Sequence, residues 1–465
     1  MKKNIVFALF LIVSKIALGQ NIVGQWSGSL EIQGNKLPIV FNIEKSDDGY
    51  KATMDSPSQG AKGIPVEKVS LDNNKLEIKM PKLQIEYQGA CFGDELIIGT
   101  FKQAGLSLPL NLTKSKTAIV INRPQEPKEP FSYHSEEVNF INTKENLTLA
   151  GTLSLPKKDG YFPAVILISG SGPQNRNEEI FGHKPFLVLA DYLTRNGIAV
   201  LRFDDRGVGK STGDFSKATT ANFASDVEAA LDYLLSRKEI NSKKIGLIGH
   251  SEGGIIAPMV AVNSKNVSFI VLMAGTGING AELLLMQQEL IGKASGASDV
   301  DLQKTKLINQ QVFDRVLKIS DTDKLKVELT DYLKKVISEN PEMNDGKTSE
   351  SEIIEKQFKQ ILNPWMLYFL RHNPADVLEK VSCPVLAING EKDLQVPADV
   401  NLNAIKNALD KAQNKNFTIK KFPNLNHLFQ ESTTGSPSEY GTIEQTISPV
   451  VLDEIEKWIK TRMEK

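Results

Sequence analysis

Hydrophobic residues between positions 20 and 121 follow a period of two. Aliphatic and aromatic side chains alternate with polar ones in segments 37–43, 76–78 and 83–85, and turns rich in Gly, Asn and Asp separate these segments. Such alternation places one face of each segment in a core and leaves the other in solvent. The pattern predicts a small antiparallel β domain, either a sandwich or an open barrel.

The pattern changes after residue 131, where short apolar segments alternate with amphipathic ones. Continuous apolar strands between helices are typical of a parallel sheet covered on both faces. The predicted strands are an opening hairpin within 138–155, then residues 163–168, 198–203, 245–248, 267–273, 385–389 and 416–422. The predicted helices are residues 185–195, 222–236 and 448–462.

A wholly helical segment, residues 277–381, interrupts this alternation and is expected to cap the mouth of an active site. Its most aromatic part, 363–370, either packs as cap core or forms an acyl or aromatic substrate wall. The predicted organisation is a signal peptide at 1–19, a β domain at 20–121, a linker at 122–130, a catalytic domain at 131–276 and 382–465, and the cap at 277–381.

The first 19 residues have the pattern of a cleavable signal peptide. A basic start precedes an apolar core at 5–12, and Ala17-Leu18-Gly19 offers a small-x-small cleavage site. The apolar core is too short to span a bilayer, and no later stretch is long and apolar enough to do so. We therefore expect a periplasmic or secreted protein.

Composition narrows the possible functions. The chain has 465 residues and a net charge of −1, which gives no electrostatic argument for nucleic acid or an anionic membrane. Cys91 and Cys383 are expected to be unpaired thiols, and the five histidines form no metal-ligand cluster. We expect no metal and no cofactor. For the β domain we favour a structural or dimerising role, hence a possible homodimer, over a substrate-positioning or carbohydrate-binding one.

One stretch carries a strong chemical signal, the Gly-His-Ser-Glu-Gly sequence at 249–253. It follows an uncharged apolar run and precedes a small, apolar helix start. This strand–turn–helix context is that of a nucleophile elbow, in which glycines flank a strained serine where a Cβ would clash. Ser251 is therefore the predicted nucleophile, and the alternative is an ordinary glycine-rich turn.

A serine hydroxyl needs a base to take its proton and a carboxylate to orient that base. In this kind of sheet the chain order is serine, acid, histidine. Only His372 and His427 follow Ser251, and His372 falls inside the helical segment, so His427 is the predicted base.

Asp393 is the predicted acid because it lies in the loop that leaves the strand 385–389. Gly390 is expected to permit the turn that directs its carboxylate inward. Glu391 and Asp399 are the rival candidates.

The oxyanion hole is expected to combine two backbone N–H groups. One belongs to Glu252, which directly follows the nucleophile. The other comes from the loop after the strand at 163–168, where Ser171 is the first candidate and Gly172 the second.

Two further features are interpreted as structural. Arg206 is expected to form a buried ion-pair network with Asp204 and Asp205 that fixes loops near the site. His250 is expected to be a packing residue of the elbow. The Gly-x-Gly-Lys-Ser sequence at 207–211 is not a phosphate loop, because Asp204 stands where that motif needs its first glycine.

Four motifs together, at 169–174, 204–211, 249–254 and 390–393, resemble the α/β-hydrolase superfamily. They are most similar to its exported bacterial esterase branch, which is related to the serine aminopeptidase-like hydrolases and carries an N-terminal β domain. The resemblance extends strongly from residue 131 to the end of the chain and loosely over the first domain. It implies hydrolysis of carboxylic esters with small or medium acyl groups and no cofactor. Ser169 departs from the pattern, since many members have histidine there.

The combined interpretation is a carboxylesterase that acts on a small-molecule ester through an acyl-enzyme on Ser251. A serine peptidase of the aminopeptidase or prolyl-peptidase type would use the same three residues and remains the main alternative. An acidic pair that binds a substrate amine would favour the peptidase. A non-catalytic binding protein on a hydrolase fold is the third possibility.

Overall fold

The computed structural model describes residues 21–32, 35–47, 49–72, 74–103, 106–115, 122–340 and 349–463. The chain divides into two compact units, one up to residue 120 and one from residue 121. The expected signal peptide at 1–19 lies outside the described residues. Within those residues, no helix combines the length and the apolar character that a membrane span requires.

The described part of the first unit forms one antiparallel sheet of nine strands, ordered β4-β3-β2-β1-β9-β8-β7-β6-β5. The strands are β1 (Gly24–Ile32), β2 (Asn35–Ser46), β3 (Gly49–Ser56), β4 (Ala61–Pro65), β5 (Lys68–Asp72), β6 (Lys75–Met80), β7 (Ile85–Phe92), β8 (Leu96–Gln103) and β9 (Leu106–Ser115). The antiparallel β architecture predicted from the period of two is confirmed.

The core of this sheet contains large aromatic side chains at alternating positions. Trp26, Phe41 and Tyr87 are fully buried, and the Tyr87 hydroxyl donates to the carbonyl of Leu110 at 3.1 Å. Gly99 makes room for this ring, because a Cβ at that position would lie 2.4 Å from the Tyr87 oxygen. The glycine is therefore required by packing against an aromatic ring.

The second unit contains an eight-stranded mixed sheet ordered β10-β11-β13-β12-β14-β15-β16-β17. Its strands are β10 (His134–Asn142), β11 (Leu147–Leu155), β12 (Phe162–Ile168), β13 (Ala199–Phe203), β14 (Ile240–His250), β15 (Val267–Met273), β16 (Val385–Gly390) and β17 (Phe417–Phe422). Strands β10 and β11 form an antiparallel hairpin, and β11 pairs antiparallel with β13. The other six strands, β12 to β17, all run parallel to one another.

Helices cover both faces of this sheet. The helices of the described part of the second unit, including those of the inserted segment between β15 and β16, are α1 (Pro185–Arg195), α2 (Thr220–Leu235), α3 (Gly253–Asn263), α4 (Gly280–Ala294), α5 (Asp299–Lys318), α6 (Thr322–Glu339), α7 (Glu350–Ile361), α8 (Pro364–Arg371), α9 (Pro374–Leu378), α10 (Ala398–Lys411), α11 (Pro437–Tyr440) and α12 (Pro449–Met463).

Along a central strand of the sheet, successive side chains alternate between two hydrophobic cores, one on each face of the sheet. In β12, Ile166 belongs to the core beneath α2 and α3, whereas Val165 and Leu167 belong to the core beneath α1 and α12. A strand that is buried on both faces needs apolar residues at every position, which explains the continuous apolar runs. The predicted α/β-hydrolase fold class is confirmed.

Between β15 and β16 the described chain is helical, from α4 to α9. Phe369 of α8 packs with Ile255 of α3 and Leu283 of α4 in a shared core, so the aromatic segment contributes to packing. Trp365 stacks on Phe369 with ring centroids 5.1 Å apart.

Candidate active site

Ser251 stands in the turn between β14 and α3 with a φ of +53°, in the left-handed region. Its amide donates to the carbonyl of Met273 at 2.9 Å, which ties the turn to β15. A Cβ on Gly249 would lie 2.0 Å from the carbonyl oxygen of Gly253, and a Cβ on Gly253 would lie 2.2 Å from that of Ile168. The flanking glycines are therefore required by close backbone approach as well as by the strained serine.

The predicted base and acid meet at the same edge of the sheet. Nδ1 of His427, in the loop after β17, lies 2.7 Å from Oδ2 of Asp393, in the loop after β16. The other oxygen of Asp393 accepts the amide N–H groups of Gln395 and Val396, each at 2.8 Å. Both side chains are buried. The carboxylate is thus held by two backbone donors while it orients the imidazole.

The rival residues lie elsewhere. Glu391 accepts the amide of Asn424 at 3.1 Å, and Asp399 pairs with Lys421 at 2.7 Å near the surface. His372 ends α8 in the helical segment and stacks on Tyr368. None of the three contacts the His427 ring among the contacts of the described residues.

Gly390 has a different role from the one expected. It does not adopt a positive φ. A Cβ there would lie 2.3 Å from the carbonyl oxygen of Leu425 and 2.6 Å from that of Asn426. Position 390 therefore requires a glycine because the end of β16 closely approaches the loop that carries His427. The backbone conformation at this position does not itself require a glycine.

The loop after β12 lies against the elbow. A Cβ on Gly170 would be 3.1 Å from the Cβ of Ser251. The amide of Gly170 donates to Oε1 of Glu178 at 2.8 Å and is therefore occupied. In the part of the chain that the structure describes, the amides of Ser171 and Glu252 donate to no protein group. These two N–H groups stay the predicted oxyanion donors.

Asp205 fixes the loop after β12 through two hydrogen bonds. It accepts the Ser169 hydroxyl at 2.8 Å and the amide of Gln174 at 2.9 Å. Burial raises the pKa of Asp205 to about 8, and the nearby carboxylates of Glu252 and Glu178 add to the increase. Asp205 is therefore largely protonated at neutral pH.

The carboxyl group of Glu252 links the elbow to the helical segment. Its Oε1 accepts the hydroxyl of Thr220 at 2.7 Å and the indole N–H of Trp365 at 2.8 Å. Burial raises the pKa of Glu252 to about 6, although these two donors oppose the shift. Glu252 and Asp205 line one cavity of about 20 Å³, enough for a single water molecule.

Sequence reasoning missed the role of Glu178. Nδ1 of His250 lies 2.9 Å from Oε1 of Glu178, and Nε2 lies 3.0 Å from the backbone oxygen of His427. His250 is thus more than the packing residue expected from the elbow. The only signal in the sequence is the acidic pair that follows the glycine-rich loop, and this signal does not identify a partner.

The arginine network exists with partners other than those predicted. Arg206 makes a bidentate contact with Asp226, with Nε at 2.8 Å and Nη2 at 2.9 Å from the two carboxylate oxygens. Asp204 pairs instead with Arg176, whose Nη2 lies 2.7 Å from its Oδ2. Asp205 takes part in neither pair. Arg206 and Asp226 are both buried, which fits the structural role that was predicted.

Comparison with known proteins identifies the matching family. The family model described as serine aminopeptidase, S33, matches residues 184–432. The esterase EstD of Thermotoga maritima is 26% identical over 316 residues, which cover 67% of this chain. The chain spans 65% of the length of that esterase.

Two further similarities are weaker. An uncharacterized 31.7 kDa protein of Escherichia coli is 25% identical over 254 residues, covering 54% of this chain and 79% of that protein. The crystal structure of the α/β hydrolase GrgF from Penicillium sp. sh18 has a TM-score of 0.44 and 16% identity, covering 71% of this chain and 100% of that one.

Proposed function

We propose that this chain, which belongs to the serine aminopeptidase S33 family of hydrolases, is a serine esterase that cleaves carboxylic esters of small to medium acyl groups. The observation that carries the proposal is the buried His427–Asp393 pair, 2.7 Å apart, together with the strained Ser251, whose neighbour His250 contacts the backbone oxygen of His427 at 3.0 Å. Similarity to an enzyme named an esterase supports the choice of substrate class.

In the proposed reaction, the Ser251 hydroxyl attacks the ester carbonyl while His427 Nε2 takes its proton. The resulting imidazolium is stabilised by Asp393 and returns the proton to the leaving alcohol. Water, activated by the same histidine, then cleaves the acyl-enzyme and restores the serine.

The amides of Glu252 and Ser171 would stabilise the oxyanion of the tetrahedral intermediate. Their contribution depends on facing the charge that develops during the reaction. Asp205 supports this arrangement because it fixes both ends of the loop, through the Ser169 hydroxyl and the Gln174 amide. Glu252, Ser171 and Asp205 are thus assigned to oxyanion binding or to loop positioning, and none of them is assigned to proton transfer.

The test uses purified protein with p-nitrophenyl acetate, butyrate and octanoate, beside Ser251→Ala and Ser338→Ala. Ser338 is an exposed serine of α6 and serves as the matched control. We expect turnover that is lost by at least about 10³-fold in Ser251→Ala and kept in Ser338→Ala. An unchanged rate in Ser251→Ala would remove the proposal. Labelling of Ser251 by a fluorophosphonate without ester turnover would indicate a competent nucleophile with another substrate.

A peptidase with the same three residues is the second candidate. It is favoured by the family model that matches residues 184–432, which is described as serine aminopeptidase, S33. Parallel assays of aminoacyl amides and short acyl esters separate the two.

We further propose that the chain is exported through the signal peptide at 1–19. The motivation is the basic start followed by an apolar core and a small-x-small site. Amino-terminal sequencing of protein recovered from a cell envelope fraction tests this proposal. An intact Met1 end on cytoplasmic protein would contradict it.

A further inference from the structure

A second histidine–carboxylate pair lies behind the elbow, separate from His427 and Asp393. His250 contacts Glu178 through Nδ1 at 2.9 Å and the backbone oxygen of His427 through Nε2 at 3.0 Å. Glu178 is 3% exposed and His250 is 7% exposed. Neither side chain has a role in the reaction proposed above.

The partners of His250 define its charge. A carboxylate oxygen and a carbonyl oxygen are both acceptors, and only the imidazolium carries donors on both ring nitrogens. Burial opposes this charge, but the carboxylate of Glu178 outweighs it and the pKa of His250 is raised, with smaller contributions from the carbonyl of His427 and from Asp393. Oε1 of Glu178 also accepts the amide of Gly170 at 2.8 Å.

Each contact of the pair reaches a different part of the proposed machinery. Glu178 holds Gly170, whose added Cβ would lie 3.1 Å from the Cβ of Ser251. His250 directly precedes Ser251 in the chain. Its Nε2 holds the backbone of His427, and the two imidazole rings lie 4.8 Å apart. One buried pair therefore joins the oxyanion loop, the nucleophile turn and the base loop.

The backbone at Glu178 is strained. Its φ is +50°, and that of Phe181 in the same segment is +51°, both in the left-handed region that side chains with a Cβ rarely adopt. Such conformations persist where surrounding contacts hold them, and they cluster at functional sites. The contacts of the Glu178 carboxylate with Gly170 and His250 supply that restraint.

We propose that Glu178 and His250 form a buried ion pair that positions Ser251, the oxyanion loop and His427 relative to one another. Both are positioning residues, since neither faces the reacting atoms in the proposed reaction. The inference rests on the proposed function, because it assigns these three elements to catalysis.

The first variant is Glu178→Gln. In the described part of the chain Oε2 of Glu178 is buried without a partner, so the amide keeps an acceptor at Oε1 and changes chiefly the charge. We expect His250 to lose its second proton and one of its two contacts. A displacement of about 1 Å at a reacting group costs on the order of 10²-fold in rate, so kcat should fall about 10²-fold while KM changes little.

Two readouts are measured on the full chain. Nuclear magnetic resonance of histidine-labelled protein reports the charge of each of five imidazoles, assigned by single substitutions. In the wild-type protein the His250 imidazole should stay doubly protonated to a higher pH than in Glu178→Gln, because the Glu178 carboxylate raises the pKa of His250. Ester kinetics with p-nitrophenyl acetate report kcat and KM, and thermal unfolding shows whether each variant is folded.

Two further variants, His250→Gln and the double variant that combines Glu178→Gln with His250→Gln, complete a double-mutant cycle. A glutamine can still donate to the His427 carbonyl but cannot contact Glu178 at the same time, so kcat should fall as in Glu178→Gln. The double variant should be no worse than either single one, since the two residues act as a unit. His134→Gln removes a histidine that lies 3.8 Å from Glu136 near the surface, and it should leave kcat unchanged.

A His250 that becomes neutral at the same pH in the wild-type protein and in Glu178→Gln, an unchanged kcat in folded Glu178→Gln, or additive losses in the double variant would each overturn the inference. Failure of the proposed function has a different signature. In that case the wild-type protein neither hydrolyses esters nor reacts with a fluorophosphonate at Ser251, and the resonance spectrum still decides whether His250 is charged.

Discussion

The imidazole of His427 and the carboxylate of Asp393 lie 2.7 Å apart although 34 residues separate them in the chain. The contact forms because β16 and β17 are parallel neighbours, so the loops that follow them leave the same edge of the sheet. Asp393 is further held by the amides of Gln395 and Val396.

Asp393→Asn should inactivate the protein by changing the tautomer of His427. The backbone amides of Gln395 and Val396 require an oxygen, so the new NH₂ group must face His427 Nδ1. That nitrogen must then accept, the proton moves to Nε2, and the base can no longer take a proton from Ser251. We expect kcat to fall by about 10⁴-fold in ester assays.

The matched control for that variant is Asp399→Asn. Asp399 is the rival acid from the sequence, and it pairs with Lys421 at an exposed position. Its substitution should leave kcat within about two-fold, because exposed ion pairs contribute little. Equal losses in the two variants would contradict the assignment of Asp393.

Glu252→Gln should change how stability depends on pH. Burial raises the pKa of Glu252 to about 6 from 4.5, so the folded protein binds this proton more tightly than the unfolded chain. The free energy of unfolding therefore falls as pH rises from 4.5 to 6, by about 2 kcal/mol in total. Glutamine cannot ionise, so the Glu252→Gln protein does not lose this part of its free energy of unfolding as the pH rises.

The measurement compares urea unfolding of wild-type protein and Glu252→Gln at about pH 4.5 and about pH 7. The stability of the variant relative to wild type should rise by about 2 kcal/mol between the two conditions. Other titrating groups are common to both proteins, so the difference isolates Glu252. Parallel pH profiles would show that its pKa is not raised in the folded state.

Gly249→Ala should prevent the elbow from forming. The added Cβ would lie 2.0 Å from the carbonyl oxygen of Gly253, and that oxygen belongs to the backbone and cannot move aside. We expect loss of fluorophosphonate labelling at Ser251 together with a lower melting temperature. Gly292→Ala is the control, since its Cβ would meet only the end of the flexible Leu302 side chain.

Arg206→Lys should destabilise the second unit without involving the reacting groups. Lysine keeps the charge but cannot reproduce the bidentate contact with Asp226, and a lost hydrogen bond to a buried charged group costs about 1–3 kcal/mol. The free energy of unfolding should fall by an amount of this order. Arg195→Lys, at a more exposed pair with Asp191, should change it by less than about 1 kcal/mol. Similar effects at both sites would show that burial is not the cause.

Much of the fold could be predicted because its signals are local. Helix α1 and strand β15 have the boundaries expected from periodicity, and other predicted elements of the second unit differ by one or two residues at most ends. The elbow follows from glycines next to Ser251. His427 was found by elimination, because only two histidines follow that serine.

Which side chains become partners was decided by the tertiary structure. Arg206 lies beside Asp204 and Asp205 in the sequence, but the register of the sheet and the packing of α2 bring it to Asp226. Glu178 and His250 are 72 residues apart, and no periodicity relates them.

The sequence by itself determined the alternation of strands and helices, the elbow and the order of the reactive residues, since these depend on neighbours along the chain. The tertiary structure decided the buried ion pairs and the reason for Gly390, because a buried charge or a close backbone approach depends on elements that meet only after folding.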